Sequence, residues 1–268
     1  MGCDIHLSVE RKNPTTGNWD FVSPEGLAPQ DDWDKKNGSW DWCGGRNYGL
    51  FSILANVRNG FGFAGVDTGD GYNPIAMPKG IPEDASPEYL FQVKRWEGDG
   101  HSHSFFTVRE LLDYDWNQTT RRRGLIAPLE FALMLQRDVC KPFSWCGGSN
   151  ASLLAFDEME KYICSTKFIQ FLEAEVARWS ALCTDPKRAD FHEHDSEQLA
   201  RLSALLEVQR LSHDPQVDHR FHKEHYMAKY EWDETYADVA HHFLADTLPA
   251  LEKLGDPENV RIVFYFDN

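Results

Sequence analysis

This chain has no G-x-S-x-G elbow, no phosphate-binding loop, no strand–glycine–helix dinucleotide fingerprint and no H-E-x-x-H helix. Those absences remove the common serine hydrolases, P-loop NTPases, simple Rossmann enzymes and zincin proteases. No apolar run reaches membrane-spanning length, and the first ten residues hold no apolar signal-peptide stretch. A protein of the bacterial cytosol with no membrane partner is therefore expected. Basic residues are scarce: 27 Lys and Arg face 43 Asp and Glu, a formal charge of -16. Such a surface repels nucleic-acid phosphate, so direct DNA binding through charge is not expected. Cysteine is sparse as well. Six in 268 residues do not make a dense disulfide framework and read as free thiols, with metal binding the exception to test.

What is present belongs to a folded chain, since 41% hydrophobic and 13% aromatic content is too rich for disorder. "CDIHLSVE" alternates. Cys3, Ile5, Leu7 and Val9 share one face, and Asp4, His6, Ser8 and Glu10 the other, the pattern of a half-buried strand. "NPTTGNWDFV" reads as a hairpin turn into a second strand near Trp19–Val22. Residues 24–46 read as an ordered loop. Asn47 suits an N-cap, with Leu50, Phe51, Ile53, Leu54 and Val57 forming the apolar stripe of the helix that follows and "NG" at 59–60 its stop. Residues 60–88 form a long loop rich in Gly and Pro, of a length that is often functional. Thr107 and Glu110 make a capping box just after "GHSHSFF". A further helix is expected over 127–138, two long helical stretches over 151–183 and 196–212, and another near 234–254 that Pro249 should kink or divide into two shorter pieces. The terminal "NVRIVFYFDN" is too apolar and β-branched for a tail and reads as a buried strand beside the first. The resulting expectation is an α+β fold: a central mixed sheet holding the N- and C-terminal strands, in one domain with a helical-hairpin insertion at 151–230.

On a strand, residues two apart point to the same side. Asp4-x-His6 and His101-x-His103 on neighbouring strands or strand ends can aim four ligands at one point. Carboxylate and imidazole together suit Zn, Mn or Fe, and an open position would lower the pKa of a bound water. The same residues also fit a metal-free polar active site, or polar strand-face residues with two histidines beside a helix N-terminus. Asp267, and with it Arg261, joins them if the last strand neighbours the first. Arg46 and Asn47 open a helix, where free N–H groups and a guanidinium attract phosphate or carboxylate; an ordinary cap beside a surface Arg is the alternative. "DTGDG" at 67–71 reads as a tight loop, "RRR" at 121–123 as a solvated basic run, and the histidines between 192 and 225 as exposed rather than as a second zinc site. "WCGGRN" at 42–47 echoes "WCGGSN" at 145–150. Two Gly-Gly loops before Asn N-caps explain the echo more simply than a metal shared by Cys43 and Cys146.

"MGCDIHLSVE", "RNYGLFSILANVRNG", "PKGIPEDAS", "GHSHSFFT" and the terminal "VRIVFYFDN" resemble a family of tailed-bacteriophage and prophage proteins that begin MGCDIH and end VRIVFxFDN. The likeness covers roughly 1–115 and 255–268. It implies a cytosolic phage accessory protein and places Asp4, His6, Arg46, Asn47, His101, His103 and Asp267 in the family's motifs. The expected activity is metal-dependent hydrolysis of a phosphoester or nucleotide-type small molecule, such as a host defence signal. The metal would activate water while Arg46, Asn47 and Asp267 complete the catalytic set. The alternative is a non-catalytic acidic protein that sequesters a nucleotide or blocks a host defence protein; a virion or assembly component is a third.

Overall fold

The computed structural model describes residues 2–24, 42–43, 46–96 and 98–267. In chain order the elements are β1 (Ile5–Lys12), β2 (Trp19–Val22), α1 (Tyr48–Ala55), α2 (Pro87–Arg95), β3 (His101–Thr107), α3 (Val108–Asp113) and β4 (Thr119–Ile126). There follow α4 (Pro128–Arg137), β5 (Ser152–Leu154), α5 (Phe156–Ile163), α6 (Thr166–Cys183), α7 (His192–Leu211), β6 (Tyr226–Thr235), α8 (Tyr236–Val239), α9 (Leu248–Glu252) and β7 (Val260–Phe266). The fold is α+β, and two compact units divide it: Met1–Arg122 with Asp233–Asn268, and Arg123–Trp232 between them. The second unit begins before the 151–230 insertion expected from sequence, because α4 contributes Phe131, Leu133 and Met134 to the same core as α5, α6 and α7. Most of the loop read at 24–46 lies outside the described residues.

In the first unit the sheet runs β2-β1-β7-β3, so the chain's two ends do lie side by side at its centre. Each neighbouring pair is antiparallel. The apolar face expected in β1 forms, since Cys3, Leu7 and Val9 are fully buried and pack with Ile262, Phe264 and Phe266 of β7, but the strand is not half-buried: Ser8 and Glu10 of the other face are buried as well. Leu50, Phe51 and Leu54 of α1 join that core. Tyr89 of α2 covers the opposite face with Val263 and Tyr265. Strand β7 is therefore apolar on both sides and buried throughout.

Local signals hold at the helix ends. Asn47 caps α1, accepting from the Leu50 N–H at 3.0 Å. The helix stops at Asn56, which takes a left-handed φ of 57°, earlier than the expected "NG". Thr107 and Glu110 close the capping box of α3. Gly60, Gly62 and Gly65 have dinucleotide-loop spacing, but they follow α1 and lead into a short 3-10 turn at Phe63–Gly65 rather than joining a strand to a helix. The helix expected over 234–254 is instead three short pieces, since β6 continues to Thr235 and a π turn occupies Phe243–Thr247 before α9. "RRR" is in strand β4 and faces acids: Arg121 lies 3.1 Å from Asp233, Arg122 3.9 Å from Glu234 and Arg123 3.3 Å from Glu231.

In the second unit, α6 and α7 form the expected helical pair, and Leu172, Leu202, Leu205 and Leu206 are buried in its core. Strands β4, β6 and β5 form a sheet in that order, with β5 parallel to β6. Asn150 is not an N-cap here; β5 follows it where a helix was expected. All six cysteines are free thiols. Among the described residues no helix is long and apolar enough to cross a membrane.

Candidate functional site

Antiparallel order sets the site. Because β1 and β3 both run against β7, the start of β1, the end of β7 and the start of β3 fall at one end of the sheet. Asp4, Asp267 and His101 stand at those three positions. His6 lies opposite Tyr265 in the ladder, and its Nε2 is 3.1 Å from Asp267 Oδ2. The Asp4 N–H donates to Asp267 Oδ1 at 3.0 Å, and the Asp267 N–H donates back to the Asp4 carbonyl at 3.2 Å. The dyad is thus held by backbone from both ends of the chain. The His6 ring stacks on Tyr265 at 4.8 Å, with Trp96 at 5.0 Å.

Arg46 reaches Asp4 with a two-pronged contact, Nε to Oδ1 at 2.7 Å and Nη2 to Oδ2 at 3.0 Å. Its hydrogen bonds, with the nearby charge of His6, hold the Asp4 carboxyl below the ordinary carboxylate value. Asp4 in turn raises Arg46. Gly2 makes this approach possible: a Cβ there would sit 2.3 Å from the Arg46 guanidinium. Asn47 is engaged elsewhere. Its oxygen caps α1 and its amide donates to the Val239 carbonyl at 2.6 Å, so it positions the helix that follows Arg46 rather than a ligand.

The two histidines of "GHSHS" part company. Between His101 and Ser104 the register with β7 shifts, and Ser102 takes a φ of +53°. This bulge breaks the two-residue alternation on which a shared H-x-H face depends. His103 stays on the His6 side: its ring lies 5.2 Å from Tyr265 and its Nδ1 3.5 Å from the Tyr89 hydroxyl. Burial, then the charge of His101, pushes His103 below the usual histidine range. His101 pairs with Phe266 and stacks on its ring at 6.1 Å, on the face of the main core. Four ligands at one point are therefore not formed. Among the described residues no three His, Cys, Asp or Glu are placed to hold a metal ion, and both Asp4 oxygens already accept from Arg46.

His101 faces a cleft of about 450 Å³ together with Asn56, Arg58, Met77 and Ser102. Its Nε2 is buried and has no hydrogen-bond partner among the described residues. Asn56, Arg58 and Ser102 are all non-glycine residues at positive φ, with values of 57°, 52° and 53°. Such strain costs on the order of 1–3 kcal/mol per residue and persists where surrounding structure demands it. Arg58 lies over the Tyr48 ring at 4.9 Å and hydrogen-bonds the Cys3 thiol. Burial outweighs that bond and pushes Cys3 up, so the thiol is protonated at neutral pH. Arg58 is the residue that sequence reasoning missed. Its place after Asn56 and before "NG" was the available signal, read only as a helix stop.

The other candidates make contacts of their own. Arg261 is at the far end of β7, buried, with Glu10 at 2.7 Å and Asp84 at 2.7 Å. Asp67 accepts from the Gly69 N–H in a local turn. His213 bonds Thr166, and the other histidines of 192–225 form no ligand set. Cys146 pairs with Leu125 through its backbone and lies 3.9 Å from the sulfur of Met227. A scan against protein-family models and searches of the curated proteins and of the solved structures return no match to this chain.

Proposed function

We propose that the sheet end at His6 and Asp267 is a hydrolytic site for a small anionic molecule of the phosphoester or nucleotide type, in a phage accessory protein of the host cytosol. The observation that carries this reading is the His6–Asp267 dyad beside the exposed guanidinium of Arg46. A carboxylate on one imidazole nitrogen fixes the tautomer and stabilises the imidazolium that forms when the ring takes a proton. His6, as general base, then takes the proton of an attacking water and returns it to the leaving oxygen. Arg46, whose side chain is 59% exposed, holds the anion while keeping its bond to Asp4; Arg58 adds positive charge from the cleft. His103, kept neutral by burial, is a second proton carrier on the same side of the sheet.

The test is a panel of p-nitrophenyl phosphate, bis(p-nitrophenyl) phosphate and cyclic nucleotides, assayed with and without chelator, beside elemental analysis of the purified protein. The reading expects turnover of at least one class, abolished in His6→Ala. Turnover that chelator removes and Zn or Mn restores contradicts the metal-free dyad and places a divalent ion in the reaction. Stoichiometric nucleotide binding with no turnover supports the sequestering reading. Neither turnover nor binding overturns both.

A further inference from the structure

The second unit carries a pocket of its own, built from two sequence features that the site above does not use. Ser149 and Ala151, from and just after the second "WCGG" turn, meet Lys223, Glu224 and His225, from the histidine-rich segment, at a cavity of about 620 Å³. Its floor is aromatic and buried: Tyr162, Phe168 and Tyr226, with ring centroids 4.9 Å apart for Tyr162 and Tyr226 and 5.9 Å for Tyr162 and Phe168. Phe171, 43% exposed, forms a wall. Its size falls in the range of small-molecule sites, which combine an apolar body with a few placed polar groups.

The charges at the rim are opposite to those of the chain. In a protein of formal charge -16, this pocket presents Lys167 and Lys223 against a single acid, Glu224. Neither lysine is in an ion pair among the described residues; the Asp218 carboxyl is lowered first by hydrogen bonding from Thr166, with the charges of His213 and Lys167 adding to it. Both lysines are exposed, so their charge is available at the mouth rather than spent inside the unit. Helix α4 opens on the same cavity through Ala127, Pro128 and Leu129, and no side chain caps that end. An aromatic floor accepts a flat ring, and a cationic rim beside an uncapped helix start accepts a negative group.

We infer that this pocket binds a small planar aromatic molecule carrying one anionic group, its ring on Tyr162, Phe168 and Tyr226 and its anion between Lys167 and Lys223. The assignment is independent of the hydrolytic reading, since every residue in it lies in Arg123–Trp232. Isothermal titration of the full chain with phenyl phosphate, benzoate and uncharged benzamide tests it, the first two separating a phosphate from a carboxylate preference. The expected result is saturable binding of at least one anion, at least tenfold tighter than benzamide. The double variant Lys167→Glu with Lys223→Glu loses that binding, and Lys167→Gln with Lys223→Gln, which leaves the surface uncharged rather than reversed, weakens it at least fivefold. Circular dichroism of both confirms an unchanged fold. No binding of either anion at millimolar concentration, equal binding of benzamide, or undiminished anion binding in the two double variants overturns the inference.

Discussion

At the scale of single residues, charge is used in two opposite ways on the same sheet. Arg261 and Glu10 are buried near one end of β7 and serve the fold. Replacing Arg261 by Met leaves the Glu10 carboxylate buried without its partner, and the expected cost is about 3–5 kcal/mol, read as a lower urea midpoint. Arg46 and Asp4 are exposed at the other end. There Arg46→Gln has only a small effect on stability, because solvent screens an exposed pair. Asp4 is held below its ordinary 3.8 by Arg46, so the pair's contribution is complete above that pH and is lost as pH falls through the lower folded value. The unfolding curves of wild type and Arg46→Gln should therefore differ at neutral pH and converge in acid. His103 works with the opposite charge and the same direction. Burial keeps it below its ordinary 6.5, so the unfolded chain takes up the proton first, and stability falls as pH drops from 6.5 towards the folded value. His103→Gln should flatten stability across that window; an unchanged slope contradicts the buried neutral imidazole.

At the scale of elements, the bulge in β3 decides which histidine belongs to which face. Ser102 is the residue that lets His101 turn towards the cleft while His103 remains over Tyr265. Ser102→Gly suits the left-handed φ and should leave urea stability within about 1 kcal/mol of wild type, whereas Ser102→Val, β-branched at positive φ, should lower it clearly. Much of this architecture was legible beforehand. The apolar face of β1, the apolar β7 and the cap signals at Asn47 and Thr107 each depend on local chemistry, and each folds as read. The pairing of the chain ends followed from the need to bury β7 on both faces. The bulge was not legible, because nothing in "GHSHS" distinguishes a regular strand from one with an extra residue. Nor was Arg58, whose role comes from a left-handed turn and a neighbour 55 positions away, Cys3. Strands β4 and β6 were missed because their polar residues are paired across the ladder as Arg with Asp or Glu, so no apolar alternation marks them.

At the scale of the whole molecule, the proposed hydrolytic site and the proposed aromatic pocket belong to different units with separate cores. The first unit contains its own ends: Arg121 and Asp233, on either side of the intervening unit, are 3.1 Å apart. Replacing Arg123–Trp232 by a short Gly-Ser linker should therefore leave a soluble α+β protein with the near-UV signal of its Trp and Tyr core and with the turnover proposed for His6 intact. An insoluble or molten product contradicts that independence.

The dyad itself is the central claim, and kinetics of Asp267→Asn test it most directly. Asparagine keeps the shape and can still accept from the Asp4 N–H, but it removes the charge that holds and stabilises the imidazolium of His6. On whichever phosphoester the wild type turns over, kcat should fall by about two orders of magnitude or more with KM nearly unchanged. A kcat equal to that of wild type would contradict the assignment of His6 and Asp267 as the reacting pair.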